Sequence, residues 1–342
     1  MSQTVPSLPI RAIRRLLLTW YRESQRDLPW RRTRDPYRIW ISEIMLQQTR
    51  VAAAIAYYER FLERFPGIQE LAAAPEQDLL TAWAGLGYYA RARNLQKAAK
   101  KILELGAFPR DHASIRALRG VGDYTAAAIA SIAFGLPHAA LDGNAIRVLS
   151  RLTAERGNVA STVVRKRLRA VADRLIDPAQ PGEFNQAWME LGAVICLPRE
   201  PQCSICPLKS QCAARRLGCQ RELPVKAVRA SPVEIEKQIL VIRKAACILL
   251  WQRETESRRL AGFWELPEPA QLPQAKIGAR IGVFRHTIVN TNYSFHVHQA
   301  STRSVPKRFL WLPMHRLHEF PLSTAAKKAL ACLAPQEGGQ NP

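Results

Sequence analysis

Four of the seven cysteines in this 342-residue chain crowd between positions 196 and 212, as Cys196, Cys203, Cys206 and Cys212, separated by six, two and five residues. Four thiolates at such spacing can hold a tetrahedral zinc ion or an iron–sulfur cluster, and general chemistry leaves both open. The amino terminus lacks a secretory pattern, because Leu16, Leu17 and Leu18 are flanked at once by Arg15 and by Trp20, Tyr21 and Arg22. A cytoplasmic location is therefore expected, where metal ligation is favoured over disulfides. Cys219, Cys247 and Cys332 lie outside the run and read as structural or incidental.

The cysteines close a long helical stretch. From residue 10 to about 195 the apolar spacing is of the 3.6 type, as in Ile39, Ile44 and Leu46, in Leu79, Leu80 and Trp83, and in Ile146, Leu149 and Leu152. Proline and glycine cut it into around ten short helices, at Pro66-Gly67, Pro75, Gly85, Gly87, Pro109, Gly120, Gly135 and Pro181-Gly182. Pro224 to Pro232 reads as a linker, and beyond it 239–242, 246–250 and 295–298 read as strands. The division expected is a helical domain over 8–222 that includes the cysteine loop 196–212, a linker over 223–235, a smaller α+β domain over 236–335 and a frayed, disordered tail over 336–342. No internal repeat or low-complexity block interrupts this order.

Fifty Lys plus Arg against 28 Asp plus Glu give a formal charge of +22, the footprint of a protein that neutralises phosphates. No apolar run approaches the roughly 20 residues of a spanning helix, and no basic amphipathic helix stands apart from globular sequence, so a membrane is not the expected partner.

In LRGVGDYTAAAIA (118–130) the alanines favour a helix starting near Asp123, while Ile115, Leu118 and Arg119 read as the end of an earlier helix. Between them Gly120, Val121 and Gly122 form a tight turn whose backbone N–H groups sit beside a helix N-terminus, a setting that favours a phosphate. An ordinary helix–helix connection is the plainer reading.

Two carboxylates stand in opposite settings. Glu43 interrupts the apolar face of Ile39, Trp40, Ile44 and Leu46, where burial would keep it protonated and fit it to act as a general acid, unless it is a surface glutamate paired with Arg38 or Arg50. Asp142 and Asn144 precede a helix beginning near Ala145, so one of them is its N-cap, and an aspartate there is favoured as the anion. Glycosidic cleavage needs such a pair, an acid for the leaving group and an anion beside the sugar cation.

The cysteine spacing after a helix-hairpin-helix resembles the 4Fe-4S loop of the endonuclease III and MutY superfamily of DNA glycosylases. DLPWR (27–31), SEIMLQQT (42–49), GLGYYARARNL (85–95), LDGNAIRVL (141–149) and NQAWMELGAVIC (185–196) are similar to the MutY-type adenine DNA glycosylases. The resemblance implies a mainly α glycosylase domain with a structural 4Fe-4S cluster on Cys196, Cys203, Cys206 and Cys212. It implies a monomeric base excision repair enzyme, cytoplasmic and nucleoid-associated, acting on double-stranded DNA with A·8-oxoG or A·G mispairs. Glu43 would protonate adenine N7, and Asp142 would stabilise or attack the sugar cation, with Tyr124 and Asn144 orienting it. Arg26, Trp30, Arg31 and Glu190 would line the adenine pocket, Gln48 and Tyr88 would enter the duplex, and Gly120, Val121 and Gly122 would clamp a phosphate. Plainer uses are core packing for Trp30 and Tyr88, solvated charge for Arg26 and Arg31, and a helix surface for Gln48. Arg91, Arg93, Lys97, Lys100 and Lys101 offer a further phosphate track, or a solvated face.

Where the endonuclease III branch carries a lysine two residues after the hairpin glycine, this chain has Tyr124, and a phenol forms no Schiff base. A monofunctional enzyme is therefore expected. GFWELP (262–267) and FRHT (284–287) resemble the Nudix-like carboxy-terminal domain of the family, which reads the oxidised guanine, although Pro267, Pro269 and Pro273 replace the Nudix catalytic carboxylates. Ile288-Val289-Asn290 stands where many members carry Phe-Ser-His, leaving Asn290, Thr291 or Asn292 to supply the missing hydrogen bond. Two rivals remain, a bifunctional endonuclease III-type pyrimidine glycosylase/lyase and a non-catalytic metal-containing DNA-binding protein.

Overall fold

A computed structural model describes residues 8–226, 231–254, 257, 260–288 and 290–333. The tail expected over 336–342 lies outside the described residues, as do 227–230 of the expected linker and Val289. The helices are α1 (Ile10–Ser24), α2 (Pro36–Met45), α3 (Val51–Arg64), α4 (Ile68–Ala73), α5 (Glu76–Ala82), α6 (Ala90–Glu104), α7 (His112–Ala117), α8 (Asp123–Phe134), α9 (Gly143–Thr153), α10 (Thr162–Leu175), α11 (Pro181–Val194), α12 (Ala213–Arg216) and α13 (Thr324–Ala331). The strands are β1 (Val233–Lys244), β2 (Cys247–Gln252), β3 (Trp264–Glu265), β4 (Lys276–Ile288), β5 (Thr291–Ser301) and β6 (Phe309–Pro313). The chain divides into two compact units, Met1–Ala73 with Asn94–Val228, and Ala74–Arg93 with Arg229–Pro342.

Among its described residues the first unit is helical throughout. The α1 stripe of Ile13, Leu17, Leu18 and Tyr21 joins Ile146, Leu149 and Leu152 of α9 and Leu168 and Val171 of α10 in one core, each large apolar side chain contributing about 1.5–3 kcal/mol by leaving water. The alanine run of α8 is buried on every side, from Ala126 to Ala130, and α2, α7 and α11 all pack on it. Small side chains let these helices approach closely, so the buried helix is apolar all round.

One expected boundary moves. Helix α7 ends at Ala117, and Leu118 is extended (φ −64°, ψ 141°) rather than helical. Leaving the helix there buries the Leu118 side chain and lets its carbonyl accept the Val121 N–H at 3.1 Å, which closes the turn. Gly120 then sits at φ +81°, and a Cβ on it would strike Asn94 Cβ at 2.7 Å.

The second unit carries a six-stranded mixed sheet in the order β3-β2-β1-β5-β4, with β6 paired to β2. β1 and β5 run parallel from Val233↔Thr291 to Ile242↔Ala300, and β4 returns antiparallel to β5. Successive β1 residues are buried on opposite faces: Ile239 and Val241 pack with Phe295, Val297 and α13, whereas Leu240 and Ile242 pack with Leu249 and Leu272. That two-sided burial explains the unbroken apolar run in the sequence. β4 and β6 had no counterpart among the expected strands; most of β4 is exposed or half-buried, and its sequence lacks a long apolar run. Residues 74–93 pack here too, with the Tyr89 ring 3.9 Å from that of Phe263.

This packing corrects part of the basic track. Arg93 is bound to Glu76 at 2.7 Å and to the Ala261 carbonyl, and Arg91 donates to the carbonyls of Leu86 and Gly87 while lying over the Trp83 and Tyr88 rings. Both guanidiniums are engaged in holding the chain. No helix among the described residues is long and apolar enough to cross a membrane.

Candidate active site

A cavity of about 500 Å³ opens in the first unit, and nine of the residues singled out in the sequence line it: Arg26, Trp30, Arg31, Glu43, Gln48, Tyr124, Asp142, Asn144 and Glu190. They come from the 3₁₀ turn at Pro29–Arg31 and its approach, from α2 and the turn after it, and from the starts of α8 and α9 and the middle of α11. Tyr88 belongs to the second unit, where it borders a different cavity of about 730 Å³. Gly120, Val121 and Gly122 form the hairpin turn and do not line the first cavity. At Gly122 (φ −95°) a Cβ would meet nothing within 4 Å, so packing within the chain does not require glycine there.

Glu43 is 5 % exposed, which rules out the surface-glutamate reading, and among the described residues its Oε2 has no hydrogen-bond partner. Burial pushes its carboxyl up to about 7; the Tyr124 hydroxyl and Arg31 oppose the rise, and the Asp142 charge adds to it. Tyr124 is itself held well above the usual phenol range by burial. Its hydroxyl donates to Met189 Sδ at 3.6 Å.

Asp142 is the N-cap of α9, its Oδ1 accepting the Ala145 N–H at 2.6 Å. The expectation that the helix N-terminus would favour its anion is only half met. Burial raises the Asp142 carboxyl, outweighing the backbone N–H groups and Arg147, which pull it down. The two acids therefore differ in hydrogen bonding more than in burial. Asp142 has a backbone donor and, among the described residues, Glu43 Oε2 has none, and the Asp142 charge helps to hold the Glu43 proton.

Glu190 is fully buried and takes Arg26 across both oxygens, Nε to Oε1 and Nη2 to Oε2 at 2.7 Å each, with Arg31 Nη2 on Oε2 at 2.7 Å. Burial alone would raise this carboxyl, but the two guanidiniums win and bring it down to about 2. Trp30 stands edge-on to Tyr58 with ring centres 5.5 Å apart. The cavity wall thus pairs a fixed ion cluster with an aromatic face. Sequence reading missed Gln186, held by the Tyr21 hydroxyl at 2.7 Å, and Met189. Gln186, Glu190 and Ala193 follow helical spacing along one face of α11, which was the available signal.

Gln48 and Tyr88 share an unusual backbone, φ +63° and φ +49°, in the left-handed region that non-glycine residues rarely occupy. Gln48 lies in the turn between α2 and α3, not on a helix surface, and Tyr88 is 52 % exposed, not a core aromatic.

Behind α9 lies the cysteine loop. Arg151 is fully buried and donates to Cys196 Sγ (3.3 Å) and to the carbonyls of Leu197 (2.6 Å), Pro198 (2.8 Å) and Leu223 (3.0 Å). Burial pushes Cys206 up to about 12 and raises Cys203 and Cys212, and each of these feels the charge of its neighbours in the run. Among the described residues no three His, Cys, Asp or Glu side chains converge closely enough to hold a single metal ion.

Residues 41–173 match the family described as HhH-GPD superfamily base excision DNA repair protein. Among solved structures the chain is similar to a thermostable thymine-DNA glycosylase, 30% identical with a TM-score of 0.56, over 61% of this chain and 97% of that one. It is also similar to endonuclease III in a trapped covalent intermediate with DNA, 25% identical with a TM-score of 0.52, over 62% and 99%. Curated relatives include the adenine DNA glycosylases of Homo sapiens, 36% identical over 96% of this chain and 75% of that protein, and of Mus musculus, 36% identical over 93% and 77%. The chain belongs to the adenine DNA glycosylase family, enzymes of base excision DNA repair.

Proposed function

We propose that this enzyme is monofunctional and removes adenine from A·8-oxoG or A·G mispairs in double-stranded DNA, with Glu43 as the acid that protonates N7 and Asp142 as the anion that stabilises the sugar cation. The observation that carries this reading is that Glu43 and Asp142 line one cavity, the first without a hydrogen-bond partner on Oε2 and the second on a helix N-terminus. Two carboxyls in one cavity, one with a bare oxygen and the other accepting a helix N-terminal N–H, are what an acid and a stabilising anion require.

A stacked base is out of reach of such a cavity, so adenine must be extruded, at a cost of a few kcal/mol that is least in a mispair. Arg26, Trp30, Arg31 and Glu190 then hold the base, and Tyr124 and Asn144 fix the Asp142 side. Gln48 and Tyr88 occupy the stack left behind, supported by their strained backbone and exposure, and Gly120, Val121 and Gly122 receive a phosphate. Water is the final nucleophile, because Tyr124 stands where a lyase would carry an amine.

The four cysteines would hold a 4Fe-4S cluster. The buried thiols need a cation to release their protons, and Arg151 already donates to Cys196 Sγ, a bond of the kind that tunes cluster sulfurs. Bound there, the group would supply a charged, rigid clamp for the loop, with no part in bond cleavage.

The second unit is read as a Nudix-like reader of the opposing guanine, without hydrolase activity. At its hairpin tip Asn292 accepts from Thr287 at 2.7 Å and donates to Glu234 at 2.6 Å, beside Asn290 and Thr291. The enzyme acts as a monomer in the cytoplasm, on the nucleoid. Single-turnover base release from an A·8-oxoG duplex, read after alkali, tests the reading. The strand should stay intact until alkali is added, and E43Q and D142N should each lose at least ~100-fold, the contribution of an acid catalyst. Scission without alkali, or near-parental release by either variant, overturns it.

A further inference from the structure

Met189 borders the same cavity, immediately before Glu190 on α11, and no role above uses its sulfur. Its Sδ lies 3.6 Å from the Tyr124 hydroxyl, which donates to it. That hydroxyl is also within hydrogen-bonding reach of Glu43. One hydrogen therefore has two acceptors, a thioether and a carboxyl group.

We infer that Met189 is a positioning residue that keeps the Tyr124 hydroxyl hydrogen turned away from Glu43 until Glu43 has given its proton to the base. The inference rests on the reading of Glu43 as the acid. A thioether is a weak acceptor, and a carboxylate is a strong one. While Glu43 is neutral the sulfur competes for the hydroxyl; once Glu43 is ionised the hydroxyl turns to the new anion and stabilises it. Only a rotation of the O–H bond is involved, and the phenol keeps its proton throughout because burial holds Tyr124 well above the usual range.

The titratable groups facing Glu43 across the cavity are Tyr124 on α8, Asp142 at the start of α9, Arg31 and Arg26 at the 3₁₀ turn, and Glu190 on α11. The arginines are fixed on Glu190 and Asp142 on the Ala145 N–H. Tyr124 alone in this set carries a hydrogen that can change acceptor.

The test is the pH profile of single-turnover base release by the whole chain, for the parent, M189L, Y124F and the double variant. Leucine matches methionine in volume but accepts no hydrogen bond. M189L should move the alkaline limb to lower pH by about one unit, because the hydroxyl now favours the ionised Glu43 permanently. Y124F should move the limb the other way, and in that background M189L should add nothing. M189Q, which offers a stronger acceptor of similar length, should shift the limb to higher pH and keeps the test open if M189L folds poorly. An M189L profile that coincides with the parent's overturns the inference, as does an equal M189L shift in the Y124F background, which would mark a packing effect. A parent without an alkaline limb, or an active E43Q, defeats the acid assignment itself and the inference with it.

Discussion

Arg147 Nε donates to the Cys196 carbonyl at 2.8 Å, joining the helix that Asp142 caps to the first cysteine of the loop. Its Nη2 serves Asn144 Oδ1 at 2.8 Å and the Gly192 carbonyl at 2.7 Å. Gly192 permits this approach, since a Cβ there would lie 2.7 Å from Asn144 Cβ. Replacing Arg147 with methionine would leave three acceptors bare in a buried site. A loss of about 2–4 kcal/mol is expected, measured by denaturant unfolding, together with slower base release. Lysine should not rescue it, because a compact ammonium cannot span three acceptors in one plane.

Burial of Glu43 carries a pH-dependent stability cost. Its carboxyl is raised from 4.5 to about 7 in the folded chain, so the folded state binds the extra proton across that window and stability falls as pH rises through it. The cost is absent below 4.5 and complete above about 7. E43Q should therefore be more stable than the parent at pH 8, by up to about 3 kcal/mol at 1.36 kcal/mol per unit, and the difference should vanish toward pH 4. Thermal melts at several pH values would show the trend, and a pH-independent difference would contradict it.

Glu190 has the opposite sign. Its carboxyl is brought down to about 2, so the stability it confers is present above the ordinary value of 4.5 and fades as pH falls toward 2. Replacement by glutamine leaves the buried Arg31 without its anion, which should cost about 3–5 kcal/mol at pH 7. Unfolding at pH 7 and pH 3 should show that penalty shrinking in acid.

The two hairpin glycines should separate folding from binding. Gly120 has φ +81° and faces Asn94, so G120A is expected to destabilise the chain by more than about 1 kcal/mol. Gly122 has ordinary backbone and open space, so G122A should melt within about 0.5 kcal/mol of the parent and yet weaken DNA binding by holding phosphate off the N–H groups. Calorimetry and a duplex titration measure the two effects separately.

The helical half was legible because its signals are local. A cap at Asp142 or Asn144 and a helix in the alanines of α8 can be read from the residues themselves, and the pocket residues that the family resemblance implies line one cavity. What sequence missed depends on partners distant along the chain. Met189 and Gln186 look like any apolar and polar pair on α11 until Tyr124 and Tyr21 are brought to them. Arg91 and Arg93 read as free charge because nothing near them in sequence announces the carbonyls they bind. The raised Asp142 carboxyl was misjudged for a related reason: the helix end is visible in sequence and the enclosing walls are not.

Gln48 and Tyr88 hold left-handed backbone at φ +63° and φ +49°. Such conformations cost of order 1–3 kcal/mol each and persist only where the surrounding fold imposes them. On the proposed reading, in which these two side chains enter the duplex, both projections are set by the fold itself and their entry calls for no main-chain rearrangement. Glycine at either position would ease the backbone while removing the side chain, which sets these two sites apart as places where the fold sustains local tension.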